Sequence, residues 1–70
     1  MKSLDLHGVK HRDVKELVDS FIGKYLHLLP LKIVTGNSAD MQRILKSIVI
    51  SYRLKMEPIN HVNLGSYIIK

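Results

Sequence analysis

From Lys2 to His7 apolar and polar residues alternate, with Leu4 and Leu6 apolar and Ser3, Asp5 and His7 polar. A period of two is the mark of a strand with one buried face, so residues 2–7 are expected to form the first strand, with Asp5 and His7 on the same side of it. Gly8 then supplies a place to turn. Val9 to Asp13 lead into a segment of different period. Val14, Leu17, Val18, Phe21, Ile22, Tyr25 and Leu26 recur at steps of three and four, which draws one apolar stripe along a helix that must lie on a sheet. Lys15, Glu16, Asp19, Ser20 and Lys24 fall on the other side and read as a solvated face. Asp13 and Glu16 have the spacing of a capping box, with a start two or three residues earlier as the alternative. Gly23 weakens this helix and Pro30 closes the connection after it.

Leu31-Lys32-Ile33-Val34 is short, branched and apolar, the composition of a second strand, and Thr35-Gly36-Asn37-Ser38 ends it with turn chemistry. Asn37 or Ser38 can cap the next helix, whose Met41, Ile44, Leu45, Ile48, Val49 and Tyr52 keep helical spacing. Its exposed side is basic, with Arg43, Lys46 and Arg53 and with Gln42 between them. Met56 to Val62 contains Pro58 and suits an edge or irregular strand. Asn63-Leu64-Gly65 turns the chain into a last strand, Ser66-Tyr67-Ile68-Ile69. The expected order is βαβαββ within one domain spanning residues 1–70, an α/β fold without linker or repeat.

Composition limits the function classes. Seventy residues build one core, and a core of that size gives about 3–5 kcal/mol of stability, so the chain is expected to be a monomer or a weak homodimer. No cysteine is present, which removes disulfides and thiolate metal sites and fits the cytoplasm without requiring it. The N-terminus lacks the pattern of a signal peptide, and no apolar run approaches the roughly 18 residues of a membrane span. Eleven Lys and Arg against six Asp and Glu leave a net charge of +5. That surplus suits either a polyanionic partner, nucleic acid above all, or a solubilising surface.

Topology sharpens this. If the first two strands are parallel, their C-terminal ends share one edge of the sheet, and Gly8 and Gly36 face the same side. Each precedes a helix whose N-terminus carries unpaired N–H groups and a partial positive charge, so a phosphate would fit near Asp5 and His7. The plain alternative is that two crowded βα turns simply use glycine.

Leu4-Asp5-Leu6-His7-Gly8, the helix after it, Ile33-Val34-Thr35-Gly36, Leu45-Lys46 with Tyr52, and Gly65-Ser66 before the final strand together resemble the small MutS-related (Smr) domain over nearly the whole chain. The resemblance implies a two-layer sandwich of a mixed four-stranded sheet and two helices, similar to the C-terminal domain of translation initiation factor three. It also implies endonuclease activity on RNA or DNA, with the ribosome among the partners of the family. Asp5 and His7 match the acidic and histidine positions of the LDxH motif to which cleavage is attributed. Thr35 and Gly36 match the start of a TGxG motif that contacts nucleic acid, and Ser38 stands where its second glycine belongs. The segment before the last strand, Asn63-Leu64-Gly65-Ser66, is also poorer in glycine than is usual for that family.

The pair of residues suits the chemistry. Imidazole, with an ordinary pKa near 6.5, is the side chain best placed to move a proton at neutral pH, and a carboxylate two residues back could orient it. RNA brings its own nucleophile, the 2′-hydroxyl, so a histidine and a basic cradle suffice without metal, whereas DNA would call for a divalent ion and an activated water. RNA cleavage without a cofactor is therefore favoured over DNA nicking. Gly8, Lys10, His11, Arg12, Thr35, Gly36, Asn37, Ser38, Arg43 and Lys46 are the expected nucleic-acid contacts. The competing readings are that Asp5 is a strand-end carboxylate accepting backbone N–H bonds, that His7 is an exposed turn residue, and that the basic side chains are merely solvated. The second function class, which Ser38 in place of the motif glycine would favour, is a module of the same fold that binds nucleic acid or a ribosomal surface without cutting. His27 and His61 read as structural; Phe21, Tyr25 and Tyr52 read as core, and Tyr67 could face either way.

Overall fold

The computed structural model of the protein describes residues 1–60 and 65–70. The strands are β1 (Ser3–Asp5), β2 (Leu31–Val34), β3 (Met56–Pro58) and β4 (Ser66–Ile69); the helices are α1 (His11–Tyr25), followed by a 3-10 turn at Leu26–Leu28, and α2 (Ala39–Ser51). The order is the expected βαβαββ, and one mixed sheet runs β1-β2-β4-β3. β1 and β2 are parallel, as a helical crossover demands, while β4 is antiparallel to both β2 and β3. β2 and β4 have the bounds that their branched apolar runs predict. β1 is shorter than the alternation suggests, although backbone bonds from Lys32 N–H to the Lys2 carbonyl (2.9 Å) and from Leu6 N–H to the Val34 carbonyl (2.8 Å) extend its pairing at both ends.

Pairing register explains which side of the sheet is covered. Leu4, Ile33 and Tyr67 are opposite one another across three strands, and Leu31, Ile69 and Met56 make the adjacent row. Leu31, Ile33, Tyr67 and Ile69 are buried there, so Tyr67 faces the core. α1 adds Val14, Val18, Phe21 and Ile22, and α2 adds Met41, Leu45, Ile48 and Val49. Ser3, Asp5, Lys32 and Glu57 occupy the alternate positions on the open face. The result is a two-layer sandwich whose shortest dimension, 18 Å, is what one sheet and one layer of helices need. No helix among the described residues is long and apolar enough to cross a membrane.

Three expectations are corrected. Leu17 (41% exposed) and Leu26 (45%) do not join the core. Val14, Val18, Phe21 and Ile22 already fill the covered side of α1, leaving Leu17 on its flank beside Asp13, Glu16 and Ser20. Leu26 lies past the end of α1, in the 3-10 turn, where the chain no longer keeps the phase of the stripe. The capping box at Asp13 and Glu16 is not formed either; α1 takes the alternative, earlier start, at His11, with extended Lys10 as its N-cap and no side chain capping it. Asp13 instead sits in the first turn, where its charge complements the helix dipole.

Pro58, which has no N–H to give a ladder, lies in edge strand β3 as expected. His61, Val62, Asn63 and Leu64 of the expected strand end and turn lie outside the described residues. The exposed polar side of α1 carries a Lys15–Asp19 ion pair of 2.8 Å. Its hydrogen bond holds the Asp19 carboxyl below its usual value and the Lys15 ammonium above its own. Asp19's stabilising contribution is thus present above the ordinary carboxylate range and lost as pH falls through its lowered value, while that of Lys15 is lost only as pH rises through its raised one. Tyr52 at the end of α2 donates its hydroxyl to the Asp19 carbonyl (3.4 Å), tying the two helices together, and partial burial followed by the Asp19 charge raises that phenol's pKa.

Candidate functional site

Because β1 and β2 are parallel, the chain leaves both at one edge of the sheet. Asp5 is in register with Val34, so Leu6-His7-Gly8 and Thr35-Gly36 emerge side by side, about one strand spacing (~4.8 Å) apart. Both turns need the left-handed backbone, with Gly8 at φ +79° and Gly36 at φ +70°. A Cβ added to either would meet nothing within 4 Å. Glycine is required here for its conformation, and the space over both turns is open.

Asp5 shapes the first turn. Its Oδ1 accepts the backbone N–H of His7 at 2.8 Å. This is an Asx-type turn, in which a short carboxylate holds the backbone two residues on. Of the two roles considered for Asp5, the contact formed is the strand-end carboxylate accepting a backbone N–H, donated by His7 rather than by a neighbouring loop. The strand ends at Asp5, so His7 does not share a strand face with it; it sits in the turn with its ring exposed. Asp5 thereby holds the backbone that carries the imidazole.

The second turn is built differently. Thr35 is buried, and its backbone N–H and that of Gly36 both donate to the Gly65 carbonyl, at 2.7 and 3.1 Å. The Thr35 hydroxyl donates to the Gly36 carbonyl at 2.9 Å and lies 3.4 Å from that of Gly65. Gln42 reaches back from α2 to the same Gly36 carbonyl at 3.2 Å. Thr35, expected as a nucleic-acid contact, is an internal brace whose buried side chain holds Gly36 in place. By helical spacing Gln42 falls among the exposed basic residues of α2, and the Gly65 carbonyl, being backbone, has no side-chain signature.

Of Asn37 and Ser38, Ser38 is the cap of α2. Its hydroxyl accepts the Met41 N–H at 3.2 Å and its backbone is extended, at φ −85°. No left-handed conformation is demanded at this position, so a serine in place of the motif's second glycine costs no backbone strain. Ser38→Ala should lower stability by about 1 kcal/mol and Ser38→Gly by only a few tenths. Equilibrium urea unfolding of the two variants checks this.

The helix termini differ accordingly. α2 has its side-chain cap, whereas α1 has none and opens beside His7 with Lys10, His11 and Arg12 exposed around its first turn. Unpaired N–H groups and local cations make this end the better cradle for an anion. Asn37 is exposed beside it. Arg43 and Lys46 do not converge on His7: they lie roughly 6 and 10 Å along α2 from its first residue, and Arg43 is paired with Asp40. Around the edge Lys10, Arg12 and Arg43 are matched by Asp5, Asp13 and Asp40. His27 is exposed in the 3-10 turn after α1. Among the described residues no group of three or more His, Asp or Glu side chains is placed to hold a metal ion. No protein-family model matches the chain, and neither does any curated protein or solved structure.

Proposed function

We propose that this chain is a small MutS-related (Smr) type of domain that cleaves nucleic acid, RNA in preference to DNA, with His7 as the proton-transfer residue. The observation that carries this reading is the exposed His7, whose backbone Asp5 holds in the turn beside the N-terminus of α1, which no side chain caps, and the open Gly36 turn. In the proposed step His7 takes the proton of a 2′-hydroxyl, and the 2′-oxygen forms a bond to the adjacent phosphorus. The bond from phosphorus to the 5′-oxygen breaks, and that oxygen takes a proton from water, to which His7 returns its own, giving a 2′,3′-cyclic phosphate and a 5′-hydroxyl end. The first-turn N–H groups of α1, with Lys10 and Arg12, hold the phosphate.

Asp5 acts in this scheme through its oxygen acceptor and not through its charge. Asp5→Asn keeps an acceptor for the His7 N–H and is expected to retain cleavage within a few-fold, whereas Asp5→Ala releases the turn and is expected to lose about tenfold or more. Equal, severe losses in both variants would show that the carboxylate itself takes part in the chemistry.

A second reading, recognition of nucleic acid or a ribosomal surface without cutting, is favoured by two observations: the hydroxyls of Thr35 and Ser38 are committed to backbone partners, and the edge carries balanced charge. Incubation of the protein with labelled single-stranded RNA and with supercoiled plasmid, with and without a chelator, separates the readings. RNA cleavage that survives chelation supports the proposal. Plasmid nicking lost on chelation would replace it with metal-dependent DNA cleavage, and binding without cutting would leave a recognition module.

A further inference from the structure

The positive surplus of this chain is not where the candidate chemistry is. At the opposite edge of the sheet the chain enters β1 and β2, leaves α1 and α2, enters β3 and ends β4. Those ends bring together Lys2, Lys24, Arg53, Lys55 and Lys70, which the sequence scatters over almost its whole length. Glu57 is the one side-chain carboxylate placed among them, so in side-chain charge this end holds four of the chain's five net positive charges. The His7 edge holds none.

The grouping is visible in the contacts. Lys55 and Lys70 exchange both backbone hydrogen bonds, at 2.7 and 2.9 Å, which sets their side chains on adjacent strand ends, and Lys70 pairs with Glu57 at 3.0 Å. Lys2 and Lys24 place their ammonium groups 5.3 and 5.4 Å from the centroid of one ring, Tyr25. Neither of these two has a carboxylate partner among the described residues. Two like charges sharing one ring, with three further cations along the same edge, repel one another, and an anion laid across them removes that cost. Lys24 and Arg53 also complement helix C-termini, but helix dipoles give no reason for Lys2, Lys55 or Lys70.

We infer that this far end is a second polyanion-binding surface, which anchors the sugar-phosphate backbone of a nucleic acid long enough to reach from it to the His7 edge. The inference rests on nucleic acid as the partner proposed above and is independent of whether His7 cuts it. α1, with its 15 residues, sets the distance between the two ends, roughly 22 Å. An RNA too short to span this distance can occupy one end only.

The test is salt-dependent binding of labelled RNA, both single-stranded and duplex, at lengths of about 4 and about 20 nucleotides, to three proteins: the parent chain, a Lys2→Gln/Lys24→Gln/Lys55→Gln variant and a Lys10→Gln/Arg12→Gln variant. All three substitutions of the first variant are at exposed positions, and a thermal melt of each protein confirms that it is folded. For the long RNA, loss of three phosphate contacts is expected to flatten the slope of log affinity against log salt by about 2–3 and to weaken binding at least tenfold at low salt. The Lys10/Arg12 variant is expected to lose less in slope, and the short RNA is expected to distinguish the parent from the far-end variant by much less than the long one. Unchanged long-RNA binding in the folded far-end variant, with loss confined to the Lys10/Arg12 variant, would overturn the inference and leave the proposed function standing. A parent chain that binds no RNA or DNA would overturn both. Salt-dependent binding to vesicles rich in anionic lipid, without binding to RNA, would reassign the surface to a membrane and likewise overturn it.

Discussion

His7→Ala is expected to reduce RNA cleavage by about 10²–10⁴-fold, the usual worth of a positioned proton-transfer group, while leaving binding and stability nearly unchanged. The position permits so clean a result. His7 is exposed, and the contacts that order its turn, its own backbone N–H to Asp5 and the Val9 N–H to the Leu6 carbonyl at 3.0 Å, are ones that alanine retains. Substitution at an exposed site without such features usually changes stability by less than about 0.5 kcal/mol. Loss of cleavage can therefore be read as loss of the imidazole and not of the turn. His7→Gln sharpens the test, since an amide can hydrogen-bond to the substrate but cannot shuttle a proton at neutral pH; it should be as inactive as alanine. Steady-state cleavage rates for the three proteins, beside their affinities for the same RNA, are the measurement.

Ile33→Ala should have the largest effect on stability. Ile33 is fully buried in a central strand, between Leu4 on β1 and Tyr67 on β4, in the core cluster to which both helices contribute. Deleting so much of a core side chain costs about 2–5 kcal/mol. A chain of this size has in total about 3–5 kcal/mol to lose, so the variant is expected to be largely unfolded at room temperature. Ile33→Val, which removes one methylene, should cost about 0.5–1.5 kcal/mol and stay folded. Ile50→Ala is the control: Ile50 is 60% exposed on the outer side of α2, and its loss should change stability by no more than about 0.5 kcal/mol. Far-ultraviolet circular dichroism with urea titration ranks the three.

Much of the fold is legible in the pattern of the chain because most of its elements are governed by a single local rule. Leu31–Val34 and Ser66–Ile69 are compact apolar runs with turn residues before or after them, and their bounds emerge as the pattern predicts. α2 is announced by Ser38 and its stripe. The errors fall where two rules compete. At the start of α1 the Asp13–Glu16 spacing competes with a chain that can begin its helix at His11 once Gly8 has turned, and the earlier start prevails. At its end, Leu26 continues the spacing but not the helix.

The candidate site is legible only in part, for a related reason. That Gly8 and Gly36 share an edge follows from topology, which the parallel β1–β2 pair satisfies. The partner of Asp5, the burial of Thr35 and the brace from Gln42 depend on backbone groups that every residue carries and that no pattern distinguishes. The charge of +5 is plain in the composition, but its location is a product of folding: Lys2, Lys24, Lys55 and Lys70 become neighbours only when strands from both ends of the chain enter one sheet.

The most direct test of His7-dependent cleavage is the chemistry of the ends it would leave. A labelled single-stranded RNA is incubated in chelator with the parent protein or with His7→Ala, alongside the same strand carrying a 2′-deoxy residue at the cut position. The expected result is a 2′,3′-cyclic phosphate from the parent protein, none from His7→Ala, and no cut at the deoxy position. Undiminished cutting by His7→Ala, cutting at the deoxy position, or binding of the RNA by the parent protein without any cleavage would contradict it.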